Sequence, residues 1–250
     1  MTNLSVNLNK VALLRNQRTM SYPSVVEMAK IVLDAGAHGI TVHPRPDARH
    51  IRTSDVLDVA ALLRSHYGPE IEFNVEGNPT DDFLDLVAEV RPNQVTLVPD
   101  DPNQSTSDHG WQIPEHAERL NRVVPALKSI NARVVLFLDA DPAMVPAANA
   151  VGADRIELYT GPYGMAFGGT DQAAELEKCR LTAEAVAAAG LGMNAGHDLN
   201  LDNLPTLIAA VPAIAEVSIG HAITADALIH GFAVAVAKYL DALQAMPNAA

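Results

Sequence analysis

Short stretches at the ends of apolar runs hold the residues able to do chemistry. Gly39-Ile40-Thr41-Val42 is a β-branched run that stops at His43, with Arg45, Arg49 and His50 close behind. Ile71-Glu72-Phe73-Asn74-Val75-Glu76 alternates, which in a strand puts Glu72, Asn74 and Glu76 on one face and Ile71, Phe73 and Val75 on the other. A carboxylate facing a barrel bore is costly, and either a tuned acid/base or an ion pair with an inner Arg or Lys accounts for it. Glu157 and Thr160 end another apolar run. Asn194-Ala195-Gly196-His197-Asp198 carries a histidine on a loop after a glycine that lets backbone approach closely. Ser218-Ile219-Gly220-His221 has the form of an anion site, with glycine at a strand end and free N–H groups opening a helix. Histidines and carboxylates beside arginines suit proton transfer on an anionic substrate.

Each has a plainer reading. His43 could be a core histidine bonded to a carbonyl, Glu76 an ion-pair partner, Glu157 an orienting carboxylate, and Gly220-His221 an ordinary turn. Asp139 reads as a helix N-cap, and His38, His66, His116 and His230 as surface or packing residues. His43, His50, His197 and Glu76 are raw material for a metal site, but no His-Glu-x-x-His pattern occurs and the reading is against metal.

The elements that must position these groups alternate in type. Strands are expected at Leu4–Asn9, Gly39–His43, Glu70–Glu76, Asn93–Val98, Arg133–Leu138, Arg155–Tyr159, Gly192–Ala195 and Ala215–Ile219. Helical patterns run from Ser24 to Ala35, Thr53 to His66, Pro79 to Val90, Pro114 to Ile130, Pro142 to Ala150, Asp171 to Ala189 and Thr224 to Ala245. Polar loops are expected around Arg15 and Arg18, over Pro99–Gln112 and over the glycine-rich Gly161–Gly169. Strands recurring about every 30 residues match βαβ units and a single (β/α)8 TIM barrel with extra helices over residues 1–250. In that fold the carboxyl ends of the strands form the active rim, where the residues above fall. An open doubly wound sheet is the competitor, but no Gly-x-Gly-x-x-Gly follows any strand.

Composition excludes several classes. Aromatics make up 4% of the chain, so Ala, Val, Leu and Ile must build the core. A net charge of −13 argues against nucleic acid or an anionic membrane as partner. The lone Cys179 permits no internal disulfide, no apolar run reaches a membrane span, and the N-terminus lacks a signal-peptide pattern. A cytoplasmic protein is expected.

Taken together the motifs resemble one family. Asn7-x-Asn9-x(5)-Arg15-Asn16-x-Arg18, Thr41-Val42-His43-x-Arg45-x(4)-His50-Ile51, Phe73-Asn74-x-Glu76-Gly77-Asn78, Leu97-Val98-Pro99, Ile156-Glu157-x-x-Thr160-Gly161, Asn194-Ala195-Gly196-His197 and Ile219-Gly220-His221-Ala222 resemble the pyridoxine 5′-phosphate synthases, from about Leu4 to Leu240. The resemblance implies a (β/α)8 barrel assembled as an octamer. It implies condensation of 3-amino-2-oxopropyl phosphate with 1-deoxy-D-xylulose 5-phosphate to pyridoxine 5′-phosphate, phosphate and water, with no organic cofactor or metal. By position, His43 and Glu76 would accept protons, His197 would donate one, and Glu157 would support the transition state. Asn7, Arg18, Asp198, Gly220 and His221 would hold the amino-ketone phosphate. Arg45, His50 and Thr106, with Asn9 and Lys10, would hold the deoxyxylulose phosphate. Pro99–Gln112 resembles the family's mobile lid. Asn9-Lys10 stands where the family usually has Asp-His, and Asp198 where it usually has Gly. The alternative is a non-catalytic or substrate-shifted paralogue that binds phosphate esters or pyridoxine phosphate.

Overall fold

Runs that alternate or are apolar throughout become strands: β1 (Asn3–Asn7), β2 (Gly39–Val42), β3 (Glu72–Gly77), β4 (Gln94–Leu97), β5 (Arg133–Leu138), β6 (Arg155–Tyr159), β7 (Gly192–Gly196) and β8 (Glu216–Ile219). The computed structural model describes residues 1–101, 104 and 106–244. All eight strands pair in parallel in chain order, and β8 closes on β1, with Leu4 opposite Val217 and Val6 opposite Ile219. The expected (β/α)8 barrel is therefore the fold. Its wall carries the helices α1 (Asn9–Asn16), α2 (Val25–Asp34), α3 (Thr53–His66), α4 (Asp81–Val90), α5 (Ile113–Ser129), α6 (Val145–Ala150), α7 (Gly161–Ala166), α8 (Gln172–Ala188), α9 (Leu204–Ala210), α10 (His221–His230) and α11 (Phe232–Gln244). Ser24 and Thr80 start α2 and α4 as N-caps, accepting from the Glu27 and Phe83 N–H groups.

Barrel interiors are usually filled by bulky branched side chains. This one is mostly polar, with Val135 and Phe137 of β5 as apolar exceptions. Near the amino-terminal end Arg133 pairs with Glu72, Arg155 donates to Asn194 at 3.0 Å, and Asn194 and Gln94 both donate to Glu216, at 3.2 and 3.1 Å. Above them Ser5 and Thr41 share a hydrogen bond of 2.7 Å, and Thr96 donates to Asn74 at 3.0 Å. The branched residues Val6, Ile40, Val75, Val95, Leu136 and Ile156 face outwards, under the helices, where they form the core. Inner polar atoms must be hydrogen-bonded to one another, so side chains fix each strand's rotation as firmly as packing would.

Several segments differ from the sequence expectations. The polar segment after β1 is helix α1, and β1 ends at Asn7, not Asn9. Its polarity is spent on buried tertiary bonds. The Arg15 guanidinium makes a two-pronged pair with Asp55 on α3, and Asn16 Nδ2 donates to the carbonyls of Ala48, Arg49 and His50 at 3.2, 3.1 and 2.8 Å. The glycine-rich stretch holds α7, whose early Pro162 is already set for a helix. The closing helix is two helices, because Gly231 takes φ +80° and ends α10; Ala245, its expected end, lies outside the described residues. Between β7 and β8 the chain forms α9, a helix not among the sequence expectations. Asp139 accepts the Gly110 N–H at 3.0 Å, and the capping role belongs to Asp141, which accepts from Ala143.

Candidate active site

The strand ends meet around a cavity of about 350 Å3. It is lined by Asn7, Asn9, Lys10, His43, Arg45, His50, Glu76, Thr106, Glu157, His197, Asp198, Gly220 and His221, thirteen of the fourteen residues singled out in the sequence. Arg18 does not line it. It lies exposed beyond α1, with its guanidinium on the Gln17 carbonyl.

The β1–β2 corner is built around two amides. Asn7 Oδ1 accepts the Asn9 N–H at 2.9 Å, and Asn9 Oδ1 accepts the His43 N–H at 2.9 Å. Asn7 also donates to Glu76 Oε2 at 3.5 Å. His43 stands between two carboxylates, with Nδ1 3.8 Å from Glu76 and Nε2 3.4 Å from Asp100. Burial, then the positive field of Arg45, holds its pKa well below the ordinary value, so the ring is neutral. His50 is also neutral, its pKa lowered to about 4 by burial and by Arg45. Its Nδ1 accepts the Ile51 N–H at 2.9 Å, which leaves Nε2 carrying the proton as a donor.

Glu76 and Glu157 are shifted the other way. Burial and the charge of Glu157 push Glu76 well above the usual carboxylate range. Burial and Glu216 raise Glu157 to about 8, and burial and Glu72 raise Glu216 to about 7. Three carboxyls buried in one bore resist being charged together, which favours protonated carboxyls there near neutral pH. Glu157 Oε1 lies against Gly196, where an added Cβ would come within 2.4 Å of it. Among the described residues, Glu157 Oε2 is a buried side-chain oxygen with no hydrogen-bond partner. An orphaned carboxyl oxygen at a pocket wall is costly for stability.

His197 and Asp198 both take left-handed backbone, φ +84° and +56°, unusual without glycine. Three features hold them there. Thr160 Oγ1 lies 2.7 and 2.6 Å from the carbonyls of Gly196 and His197, Asn203 donates to the Asp198 carbonyl at 2.9 Å, and Gly164 leaves room for that carbonyl. The His197 ring packs edge-on against Tyr159, 5.2 Å between centroids, and lies 3.4 Å from the Thr106 hydroxyl. Across the pocket Gly220 packs on Asn7 and opens α10, whose donor end lines the cavity beside His221. Lys10, His50, His221 and this helix end supply donors for anionic oxygen. Among the described residues no three His, Cys, Asp or Glu side chains stand together as metal ligands.

Comparison with known proteins gives the family. The family model of the pyridoxal phosphate biosynthesis protein PdxJ matches residues 4–245. The chain belongs to the PdxJ family. A pyridoxine 5′-phosphate synthase of Chelativorans sp. (strain BNC1) is 56% identical over 245 residues, 97% of this chain and 98% of that one. The same enzyme of Brucella abortus (strain S19) is 54% identical over 241 residues, 96% and 98% of the two chains. More distant structures share only the fold. A protein of Aquifex aeolicus VF5 superposes with a TM-score of 0.64 at 14% identity, covering 97% of this chain and 92% of that one. The YdjI aldolase of Escherichia coli K12 gives 0.62 at 11%, covering 97% and 89%.

In this PdxJ chain the pocket also contains side chains that sequence reasoning passed over. Phe137 and Tyr159 flank His197, and their position at strand ends in a chain poor in aromatics was the available signal. Ser107 comes from the expected lid, and Asp100 of the same lid, three residues past β4, stands behind the pocket against His43 and Arg45; Pro102, Asn103 and Ser105 of that lid lie outside the described residues. The departure at Asn9 keeps the geometry, since either Asn or Asp can accept the His43 N–H. The Asp198 carboxylate is kept low by its hydrogen bond with His197 and by the charges of His197, His221 and Lys10.

Proposed function

We propose that the protein is a pyridoxine 5′-phosphate synthase, joining 3-amino-2-oxopropyl phosphate to 1-deoxy-D-xylulose 5-phosphate and releasing phosphate and water. The observation that carries this reading is the convergence of His43, Glu76, Glu157 and His197 on one cavity with Lys10, Arg45, His50 and His221. Imine formation, dehydration, phosphate loss and ring closure each move protons, and one acid/base group cannot serve every step. His43 enters neutral and accepts a proton. Glu76 enters protonated, donates first, and becomes an acceptor only after that. Glu157, once it has handed on its proton, turns its Oε2 to the developing positive centre, and His197 protonates the leaving oxygen. His50 and Arg45 take one phosphate, while the α10 end, Gly220 and His221 take the other.

The chain is expected to work in the cytoplasm as a homo-oligomer, an octamer by family. The site needs no organic cofactor or metal in this reading. Arg18, exposed at the end of α1, has no role within its own chain's pocket here. A paralogue that only binds phosphate esters has no use for a buried Glu157 carboxyl whose Oε2 has no hydrogen-bond partner, which favours the enzyme. Both substrates supplied together should give phosphate and pyridoxine 5′-phosphate in equal amounts. Glu76→Gln should lower kcat by at least about a hundredfold, the usual weight of a general acid/base. Undiminished turnover in that variant, or none in the wild type, would overturn the reading.

A further inference from the structure

Arg45, expected to grip a substrate phosphate, already has an anion. Its Nη2 lies 2.5 Å from Asp100 Oδ2, and its Nη1 donates to the Gln104 carbonyl at 2.8 Å. The same Asp100 oxygen is 3.4 Å from His43 Nε2. The side chains of Arg45, Asp100 and His43 are 5%, 7% and 6% exposed, so this is an interior contact and not a solvated surface pair. Asp100 is held deliberately. Asn78 donates to its backbone carbonyl at 3.0 Å, Arg119 orients Asn78 through a 2.8 Å bond, and the Ser107 hydroxyl bonds the carboxylate. Arg49 adds a second guanidinium bond to the Gln104 carbonyl, at 2.5 Å.

We propose that Asp100 is a specificity-determining residue: an internal anion that sits on Arg45 and His43 in the substrate-free protein and yields to the phosphate of the incoming sugar. The proposal rests on the reading of Arg45 as a phosphate grip. A carboxylate against a guanidinium mimics a phosphate oxygen in charge and hydrogen-bond geometry. A dianion can displace it, while a neutral sugar cannot, so the unphosphorylated ketose fails to free either Arg45 or His43. Displacement is feasible because the buried carboxylate is poorly solvated: burial pushes its pKa up despite Arg45 and Ser107. Room to withdraw exists as well. His43 and Arg45 line both the active-site cavity and a second cavity of about 370 Å3, and Asp100 lines that second cavity with Arg49, Thr80, Phe83 and Asp101. Contact with His43 ties binding to chemistry, since the Asp100 carboxylate 3.4 Å from Nε2 occupies that side of the ring until substrate arrives.

The test is calorimetric titration of the full chain with inorganic phosphate, comparing wild type, Asp100→Asn, Arg45→Met and the double variant. Asp100→Asn should bind phosphate about tenfold tighter, the usual size of coupling between contacting charged groups. The gain should vanish in the Arg45→Met background. Asp100→Glu, which keeps the anion, should not reproduce it. Phosphate bound at the α10 end contributes equally to all variants and cancels. If Asp100→Asn binds no tighter than wild type, or gains as much without Arg45, the proposal is wrong; Asp100→Ser repeats the comparison if the amide variant does not fold. Binding is read without turnover. A chain that turned over both substrates but showed no Asp100 effect would sink this inference alone, and a chain that showed the effect without turnover would sink only the proposed reaction.

Discussion

Asn9 joins two loops through one amide, and its carbonyl oxygen is the acceptor for the His43 N–H. Replacing it by alanine leaves a donor at the pocket wall without its partner, which costs about 1–3 kcal/mol. Asn9→Asp keeps the acceptor and should match wild-type stability in urea unfolding within about 0.5 kcal/mol. The added carboxylate raises the pKa of the neighbouring His43, so the acid limb of the kcat/KM profile should move to higher pH in Asn9→Asp. An unmoved limb would mean that His43 is not the group titrating there.

At the scale of elements, α1 buries Val11 and Ala12 in the core and is tied to its neighbours by polar bonds. The buried Arg15–Asp55 pair ties it to α3, and Asp55 also accepts the Arg52 N–H at 2.8 Å to start that helix. Through Asn16, α1 also fixes the backbone of residues 48–50, and so the position of His50. Arg15→Met leaves the Asp55 charge buried without a counter-ion and should destabilise the protein by about 3–5 kcal/mol, measured by chemical denaturation. Arg15→Met with Asp55→Leu should recover much of that loss. Failure to recover would show that the Asp55 cap on α3 matters more than the pair.

The barrel as a whole stores protons in its bore. Glu157 rises from the ordinary 4.5 to about 8 and Glu216 from 4.5 to about 7 in the folded protein. The folded chain therefore holds protons that the unfolded chain has released. Their contribution is fully present below about pH 4.5 and lost as pH rises through 7 to 8. His50 acts oppositely, since its folded pKa of about 4 lies below the ordinary 6.5, but its effect is complete above pH 6.5. Between about pH 6.5 and 8 the carboxyls alone act, so Tm should fall with rising pH. Glu157→Gln, neutral at every pH, should flatten that slope. A wild-type Tm that rises across this window would contradict the protonated bore.

The sequence by itself determined the barrel and nearly all of its rim. Alternating and β-branched runs are a local property, and in a closed parallel barrel the end of each such run must reach the same face. His43, Glu76, Glu157 and His197 could therefore be read without coordinates. Where polar residues form buried bonds, the local signal misleads: Arg15 and Asn16 look like a solvated loop but fasten α1 to its neighbours. Backbone breaks such as that at Gly231 were hidden in the same way, because an apolar period continues across the glycine. Only the tertiary structure decided that the bore is mostly polar, since that depends on which face each strand turns inwards. It alone placed Asp100 on Arg45, a contact between residues 55 apart in sequence. No spacing rule links two loops that meet only because the barrel closes.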